Sequence, residues 1–134
     1  MLKNIIVTGG LGFIGSNLIK FLLEKKYSVI NLDKVTYSSN FYNVKNIKFN
    51  KKYKFIKCDI GDKKIEKILF KYKPVCIFNL AAETHVDRSI DSPKNFIHTN
   101  IYGTFCLLES LRFLKKKKIC PKLIHISTDE VYGD

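Results

Sequence analysis

The sequence predicts an α/β fold in which about five strands form an incomplete, doubly wound parallel sheet of order 3-2-1-4-5. Apolar, β-branched runs alternate along the chain with helical patterns of roughly 10–20 residues, the crossover length that parallel strands need. A glycine-rich turn joins the first run to the first helical pattern. The chain has 134 residues, of which 46% are hydrophobic and 27% are charged, the balance of one globular domain.

The first half of the chain alternates strand, helix, strand and strand. Residues 3–8 (KNIIVT) are apolar and β-branched, the pattern of a strand that is buried on both faces. Within residues 16–26 the apolar side chains recur at helical spacing. Residues 28–32 form a second short strand that ends at Asp33. A long polar connection rich in Ser, Asn and Lys leads to a third strand over residues 53–58.

The second half continues the alternation. A helix begins at Asp62, a suitable N-cap, and Pro74 stops it before a fourth strand over residues 75–80. Ser92-Pro93 starts a long helix with an apolar stripe, with Ser as N-cap and Pro at the first helical position. Residues 122–127 (KLIHIS) form the fifth strand. Ligands of such sheets bind beyond the carboxyl ends of the strands, so the segments of interest are 9–15, 33–40, 81–90 and 127–133.

Composition argues against several other classes of protein. The net charge is +12, but 22 of the 24 basic residues are Lys, whereas readout of nucleic acid favours Arg. No apolar run approaches the roughly 18 residues of a membrane span, and the first residues run into glycines rather than a signal peptide. The four cysteines show no Cys-x-x-Cys spacing and no accompanying His cluster. We therefore expect reduced thiols, no metal site and a cytoplasmic protein.

The glycine-rich turn has the spacing of a dinucleotide-binding loop. It contains Gly10-x-Gly12-x-x-Gly15 and, in the same segment, Gly9-x-x-Gly12-x-x-Gly15. Glycines permit the tight turn, the close approach of a pyrophosphate to the backbone, and packing of the helix on the strand. The free N–H groups of the following helix then face the phosphates. A glycine-rich turn without a ligand is the alternative, but the strand–turn–helix context favours a Rossmann-type domain over residues 1–134.

Asp33 follows Gly15 by 18 residues, at the end of the second predicted strand. A carboxylate there accepts hydrogen bonds from the adenosine ribose and repels a 2′-phosphate, which favours NAD over NADP. The neighbouring Lys34 softens that preference. Considered by itself, Asp33 is better interpreted as a turn residue after a strand, and only its spacing from the glycine motif favours the ribose-binding role.

Two further segments carry polar groups beyond predicted strand ends. In residues 81–90 (AAETHVDRSI) two small alanines precede five polar side chains in six residues. A solvated connection is the alternative there, although the switch point beside the glycine loop favours a site. In residues 127–133 (STDEVYG) the adjacent acids Asp129 and Glu130 follow two hydroxyls. Different surroundings can make one of two acids a proton donor and the other a base, and a capping cluster is an equal alternative.

Taken together, these segments resemble the extended short-chain dehydrogenase/reductase family, and most closely its nucleotide-sugar 4,6-dehydratases. The matching stretches, in the family's order, are TGGLGFIGSN (8–17), NLDKVTYSSN (31–40), CDI (58–60), AAETHVDRSIDSP (81–93), HTNIYGTFCLLE (98–109) and HISTDEVYGD (125–134). The glycine motif is shared by the whole superfamily. The TDEVYG string is much narrower, because the family's epimerases and decarboxylases generally lack its Asp-Glu pair.

The resemblance implies a role for each matching residue. It implies NAD binding by Gly9, Gly12, Phe13, Ile14, Gly15, Asp33, Lys34, Val35, Thr36, Asp59, Ile60, Leu80, Ala81, Ala82, Glu83, Thr84 and Thr99. It implies substrate contacts from Thr84, His85 and Thr128. Thr128 would contact the hexose, Asp129 would be the general acid and Glu130 the general base.

The implied reaction is the NAD-dependent conversion of dTDP-glucose to its 4-keto-6-deoxy form. Oxidation at carbon 4 makes the carbon 5 proton acidic, Glu130 removes it, and Asp129 protonates the departing 6-hydroxyl. The family oxidises carbon 4 with a Tyr-x-x-x-Lys pair on a helix after the fifth strand. The one Tyr-x-x-x-Lys string here, Tyr53 to Lys57, falls in a predicted strand at the far edge of the sheet, and we interpret it as coincidental.

We therefore expect the first part of a dehydratase, without the sugar-nucleotide domain and inactive by itself. A UDP-sugar dehydratase, an epimerase or a non-catalytic NAD-binding fragment are the alternatives. The resemblance also implies that a full-length member forms a homodimer through a helix bundle, and the long helix from Pro93 is a candidate for that face.

Overall fold

The predicted sheet is present in the computed structural model, which describes residues 3–133 with the side chains of Val86 and Glu130 excepted. Its five strands are β1 (Asn4–Thr8), β2 (Ser28–Asp33), β3 (Tyr53–Lys57), β4 (Cys76–Asn79) and β5 (Lys122–His125). All neighbouring strands are parallel and their order is β3-β2-β1-β4-β5. The predicted order 3-2-1-4-5 is confirmed, and it puts the switch point between β1 and β4.

Both faces of the sheet are covered. Ile6 of β1 lies between Ile30 and Ile77 of the neighbouring strands, and these side chains pack on one face with Leu107 and Leu114. On the other face the cluster contains Ile5, Val7, Ile19, Leu22, Leu23 and Val29. Two-sided burial explains why β1 is a continuous apolar run rather than an alternating one.

The helices surround the sheet in the expected positions. They are α1 (Phe13–Glu24), α2 (Lys64–Tyr72), α3 (Val86–Asp91), α4 (Pro93–Phe96) and α5 (Thr104–Lys116), with a π-helix, Ile97–Gly103, between α4 and α5 and 3₁₀ turns at Phe41–Val44 and Asp129–Val131. The first helix begins three residues earlier than predicted, because Gly12 is its N-cap and the last part of the glycine motif is already helical. Helix α3 was not predicted from its polar sequence.

The ends of two helices differ in how they are capped. The N-cap of α2 is Lys63 and not Asp62 as predicted, although Asp62 Oδ1, one residue earlier, accepts a hydrogen bond from the Lys64 N–H at 2.8 Å. The predicted positions of Ser92 as N-cap and Pro93 as first helical residue are confirmed for α4, although the Ser92 side chain makes no capping hydrogen bond. The Ser92 N–H donates to the Arg88 carbonyl at 2.9 Å and the Ser92 carbonyl accepts from the Asn95 N–H at 3.3 Å, so this residue both closes α3 and begins α4.

The π-helix lies close to the segment that follows β3. A Cβ atom at Gly103 would lie 2.8 Å from Cγ1 of Ile60, so only glycine lets the helix approach this closely. Thr99, in the same π-helix, is 2% exposed and lines the cleft described below. Local π winding recurs at functional sites, and here it brings a hydroxyl to the carboxyl edge of the sheet.

No helix in the described part of the chain is both long and apolar enough to cross a membrane. Cys58, Cys76, Cys106 and Cys120 are all free thiols.

Candidate functional site

A cleft of about 500 Å³ opens at the carboxyl ends of β1, β2 and β4. Sixteen of the seventeen residues predicted to bind the cofactor line it, together with Thr128. Val35 is the exception. The sequence analysis missed six lining residues, which are Leu32, Ser38, Ser39, Cys58, Ile126 and Ser127. Ser38, Ser39 and Ser127 lie in the segments already singled out at strand ends, Leu32 and Cys58 directly precede predicted positions, and Ile126 lies near the end of the fifth predicted strand. Proximity to strand ends was therefore the signal that could have found them.

The glycine loop forms one wall of the cleft, and each glycine has a separate reason to be there. Gly9 has φ +67°, and its N–H donates to the Leu32 carbonyl at 2.8 Å across to β2. A Cβ atom at Gly15 would collide with the Gly9 carbonyl and lie 2.8 Å from Cα of Gly10. A Cβ atom at Gly12 would be 3.3 Å from the same carbonyl. Packing therefore requires glycine at Gly15 much more strictly than at Gly12.

The N-terminus of α1 faces the cleft, with Phe13 and Ile14 in the lining. The first turn of this fully described helix carries no acidic side chain, and its N-cap Gly12 has no side chain to occupy the free N–H groups. The positive end of the helix dipole is thus available to an anion such as a pyrophosphate.

Asp33 is 5% exposed at the end of β2, and it lines the cleft. Its Oδ2 accepts a hydrogen bond from the Leu11 N–H at 3.0 Å. Its Oδ1 accepts from the Val35 N–H at 2.8 Å and from the Ser39 hydroxyl at 2.7 Å. The carboxylate therefore orders the glycine loop and its own turn as well as facing the cleft. Val35, which lies in this turn, has a φ of +63°, and that left-handed conformation is strained for a β-branched residue.

A polar network fixes the segment that leaves β4. Buried Thr8 donates to Asn79 Oδ1 at 2.5 Å and accepts hydrogen bonds from the Leu80 and Ala81 N–H groups at 3.2 and 3.1 Å. Asn79 Nδ2 donates to His125 Nδ1 of β5 at 3.0 Å. This network connects three neighbouring strands at the switch point. Sequence reasoning had no means of assigning Thr8 a part in it, because its partners lie about seventy residues away.

Lys34 and Glu83 form an ion pair across the cleft, with 3.2 Å between Nζ and Oε1. Lys34 also donates to the Thr99 hydroxyl at 2.6 Å, and the Tyr37 hydroxyl donates to Glu83 Oε2 at 3.3 Å. The Asn100 amide pairs with the Glu83 peptide, accepting from its N–H and donating to its carbonyl, both at 2.9 Å. Segments that follow β2 and β4 are thereby joined to the π-helix.

The remaining wall is formed by residues 58–60, after β3. Asp59 Oδ1 accepts a hydrogen bond from the Gly61 N–H at 2.8 Å, and its Oδ2 lies 3.6 Å from Nε2 of His98. Burial raises the pKa of the Cys58 thiol to about 11, so this group stays neutral in the cleft. Ile60 is buried beneath the π-helix.

Two of the three residues predicted to contact substrate belong to the cleft lining. Thr84 and Thr128 line the cleft, and Thr128 precedes the 3₁₀ turn that contains Asp129. Asp129 is exposed and His85 is exposed at the start of α3, and neither belongs to the lining. The side chain of Glu130 lies outside what the structure describes. The cleft thus brings Thr84 and Thr128 together and leaves Asp129 and His85 at its edge.

Tyr53 and Lys57 lie in β3, at one edge of the sheet and outside the cleft lining. The Tyr53 hydroxyl accepts a hydrogen bond from Asn31 Nδ2 at 2.9 Å, and burial raises its pKa. A raised pKa is the opposite of what a catalytic phenolate needs. Within residues 3–133 no group of three or more His, Cys, Asp or Glu side chains is arranged to hold a metal ion.

The arrangement defines the chain as a Rossmann-type domain with a dinucleotide-sized cleft at its switch point. The sequence model of the family described as GDP-mannose 4,6 dehydratase matches residues 6–134. A dTDP-glucose 4,6-dehydratase of Neisseria gonorrhoeae is 45% identical over 139 residues, which cover 98% of this chain and 40% of the relative. The chain belongs to the GDP-mannose 4,6 dehydratase family, and the resemblance inferred from the sequence is confirmed.

Solved structures agree with this assignment. The dTDP-glucose 4,6-dehydratase of Bacillus anthracis, crystallised with NAD, superposes with a TM-score of 0.81 at 41% identity. The superposition covers 98% of this chain and 39% of the Bacillus anthracis chain. The UDP-glucose 4-epimerase of Thermotoga maritima, solved with UDP-glucose, superposes with a TM-score of 0.79 at 36% identity. The superposition covers 93% of this chain and 38% of the Thermotoga maritima chain. The chain spans about two fifths of the length of these relatives, as expected for a match to part of a family member.

Proposed function

We propose that this chain is the NAD-binding part of a nucleotide-sugar 4,6-dehydratase, a lyase that acts on dTDP-glucose. One observation carries the proposal: the glycine loop, Asp33 and Thr128 line one cleft, with Asp129 at its rim. The names of the relatives support it, since the protein of Neisseria gonorrhoeae is a dTDP-glucose 4,6-dehydratase and that of Bacillus anthracis was crystallised with NAD.

The residues present fit NAD. The backbone at Gly12 and the unoccupied N-terminus of α1 suit a pyrophosphate. Asp33, although it accepts three hydrogen bonds from the protein, still faces the cleft and can accept one more from a ribose hydroxyl. The hydroxyl-bearing residues Thr84 and Thr99 also line the cleft.

In this proposal the protein contributes positions and proton transfers. NAD, when bound, supplies oxidation at carbon 4 of the hexose and the later reduction at carbon 6. Glu130 removes the proton from carbon 5, Asp129 protonates the departing 6-hydroxyl, and Thr128 holds the hexose. Asp129 is exposed at the rim, where a sugar seated over the cleft can reach it. Tyr53 and Lys57 have no part, because they lie at β3, outside the cleft lining.

An epimerase acting on a UDP-sugar is the second candidate function. The likeness to the epimerase of Thermotoga maritima favours it, since the cofactor cleft by itself suits both activities. The Asp129-Glu130 pair favours the dehydratase, because elimination needs both an acid and a base whereas inversion at carbon 4 does not.

We further propose that two copies of the chain associate through the long helical region. Ile97, Ile101, Phe105 and Leu108 recur three or four residues apart and are all about half exposed or more. Such a stripe is typical of a helix-bundle interface. We also place the protein in the cytoplasm, where NAD and nucleotide sugars are available, and we propose no nucleic-acid partner.

Calorimetric titration of the chain with NAD⁺, with NADP⁺ as control, tests the cofactor assignment. We expect saturable NAD⁺ binding and weaker NADP⁺ binding, because Asp33 disfavours a 2′-phosphate. No NAD⁺ binding by a chain shown to be folded would refute the proposed function.

The catalytic assignment is tested in a protein that spans the full length of its relatives. Glu130→Gln should block elimination while oxidation at carbon 4 survives, which appears as accumulated NADH absorbance without a 6-deoxy product. Normal elimination by Glu130→Gln would disprove the role of Glu130, and a product inverted at carbon 4 would favour the epimerase.

A further inference from the structure

We propose that Glu83 sets the preference for NAD over NADP by neutralising Lys34. The inference rests on the proposed dinucleotide site. It concerns an ion pair between two segments of the cleft that lie 49 positions apart in the sequence.

In Rossmann-type domains a cation close to the ribose-binding carboxylate accommodates a 2′-phosphate. Lys34 directly follows Asp33, and from the sequence this cation weakens any selectivity for NAD. The structure changes that interpretation. The Lys34 ammonium lies 3.2 Å from Glu83 Oε1 and donates to the Thr99 hydroxyl at 2.6 Å. Its charge is therefore balanced by a carboxylate before any cofactor arrives.

Glu83 is held in place independently of Lys34. Its peptide group makes two hydrogen bonds with the Asn100 amide, both of 2.9 Å, and its second carboxylate oxygen accepts from the Tyr37 hydroxyl at 3.3 Å. The Glu83 side chain is 9% exposed, against 27% for Lys34. The carboxylate is thus a fixed, largely buried charge, and the lysine is the partner that adapts to it.

The ion pair determines the net charge that the cofactor would meet beside Asp33. Asp33 and Glu83 are negative and Lys34 is positive, so the three side chains sum to one negative charge beside the cleft. A 2′-phosphate would bring a further charge of about −1.5 to −2 into this environment. Glu83→Gln keeps the shape and the Asn100 contacts, removes the net negative charge and leaves Lys34 without an opposing carboxylate. Lys34 is then free to bind the phosphate.

The test is calorimetric titration of the chain with NAD⁺ and with NADP⁺, at low and at physiological salt. Relative to the unaltered chain, Glu83→Gln should lower the ratio of NAD⁺ to NADP⁺ affinity by about tenfold at low salt, as expected for one charge near a phosphate, and by less at higher salt. Lys34→Met should raise that ratio, because Asp33 and Glu83 then remain without the opposing ammonium group. In Glu83→Gln/Lys34→Met the gain in NADP⁺ affinity should disappear.

Glu24→Gln is the matched control, since it removes the same charge at the exposed far end of α1 and should leave the ratio unchanged. Circular dichroism and thermal unfolding establish that each variant is folded. An unchanged ratio in both Glu83→Gln and Lys34→Met overturns the inference while NAD⁺ binding by the unaltered chain still supports the proposed function. Absence of NAD⁺ binding by the unaltered chain overturns both.

Discussion

Gly12 and Gly15 belong to one motif, yet alanine should mainly weaken NAD⁺ binding at Gly12 and mainly destabilise the fold at Gly15. A Cβ atom at Gly15 would meet backbone atoms of Gly9 and Gly10, one of them at 2.8 Å, and backbone cannot move aside without distorting the loop. At Gly12 the nearest atom is the Gly9 carbonyl oxygen at 3.3 Å, and the backbone has an ordinary φ of −71°. Gly12→Ala therefore fits the folded chain but places a methyl group where a phosphate would approach.

The expected magnitudes differ accordingly. Overpacking of this severity costs up to about 3 kcal/mol, and alanine in a helix regains about 1 kcal/mol relative to glycine. Gly15→Ala should therefore lower the free energy of unfolding by about 2 kcal/mol, or the melting temperature by roughly 6–8 °C. Gly12→Ala should cost at most about 1 kcal/mol, because alanine is a poorer N-cap than glycine. Its NAD⁺ affinity should nevertheless fall by about tenfold or more.

Urea unfolding measures the stability of both variants, and calorimetric titration with NAD⁺ measures binding at a temperature where both are folded. The reasoning would be refuted if Gly12→Ala lost as much stability as Gly15→Ala, since the difference in space would then be immaterial. Unchanged NAD⁺ affinity in Gly12→Ala would show that no phosphate approaches the loop at this residue.

Three further predictions concern the cleft. Asp33→Asn should lower the free energy of unfolding by about 1–3 kcal/mol, because an amide cannot accept all three hydrogen bonds of the buried carboxylate; stability equal to the unaltered chain in urea would contradict this. Val35→Gly should raise the free energy of unfolding by about 0.5–1 kcal/mol, because glycine relieves the strain of the φ of +63°. A loss of stability in the same urea assay would mean that contacts of the Val35 side chain outweigh this strain. At pH 8, iodoacetamide should modify exposed Cys120 well before Cys58, because burial raises the Cys58 pKa to about 11 and leaves little thiolate; peptide mass spectrometry that found Cys58 modified first would refute this.

Much of the site was predictable because its parts are local in sequence. The strand–glycine–helix pattern of residues 4–24 needs no distant partner to be recognised, and Asp33 follows at the spacing that the motif requires. The polar segment that became α3 could not be recognised as helical, since its six residues VDRSID include only two apolar positions, too few to establish a helical period.

The sequence by itself determined the strand order, the place of the glycine loop and the edge of the sheet at which ligands bind. These follow from periodicity and from the handedness of strand–helix–strand units, both of which are local constraints. Only the tertiary structure decided that Thr8 holds the segment after β4, that Asp33 is already bound by three protein donors, and that Lys34 is neutralised by Glu83. Buried polar groups must find partners wherever the packed chain offers them, and no spacing in the sequence states which groups those are.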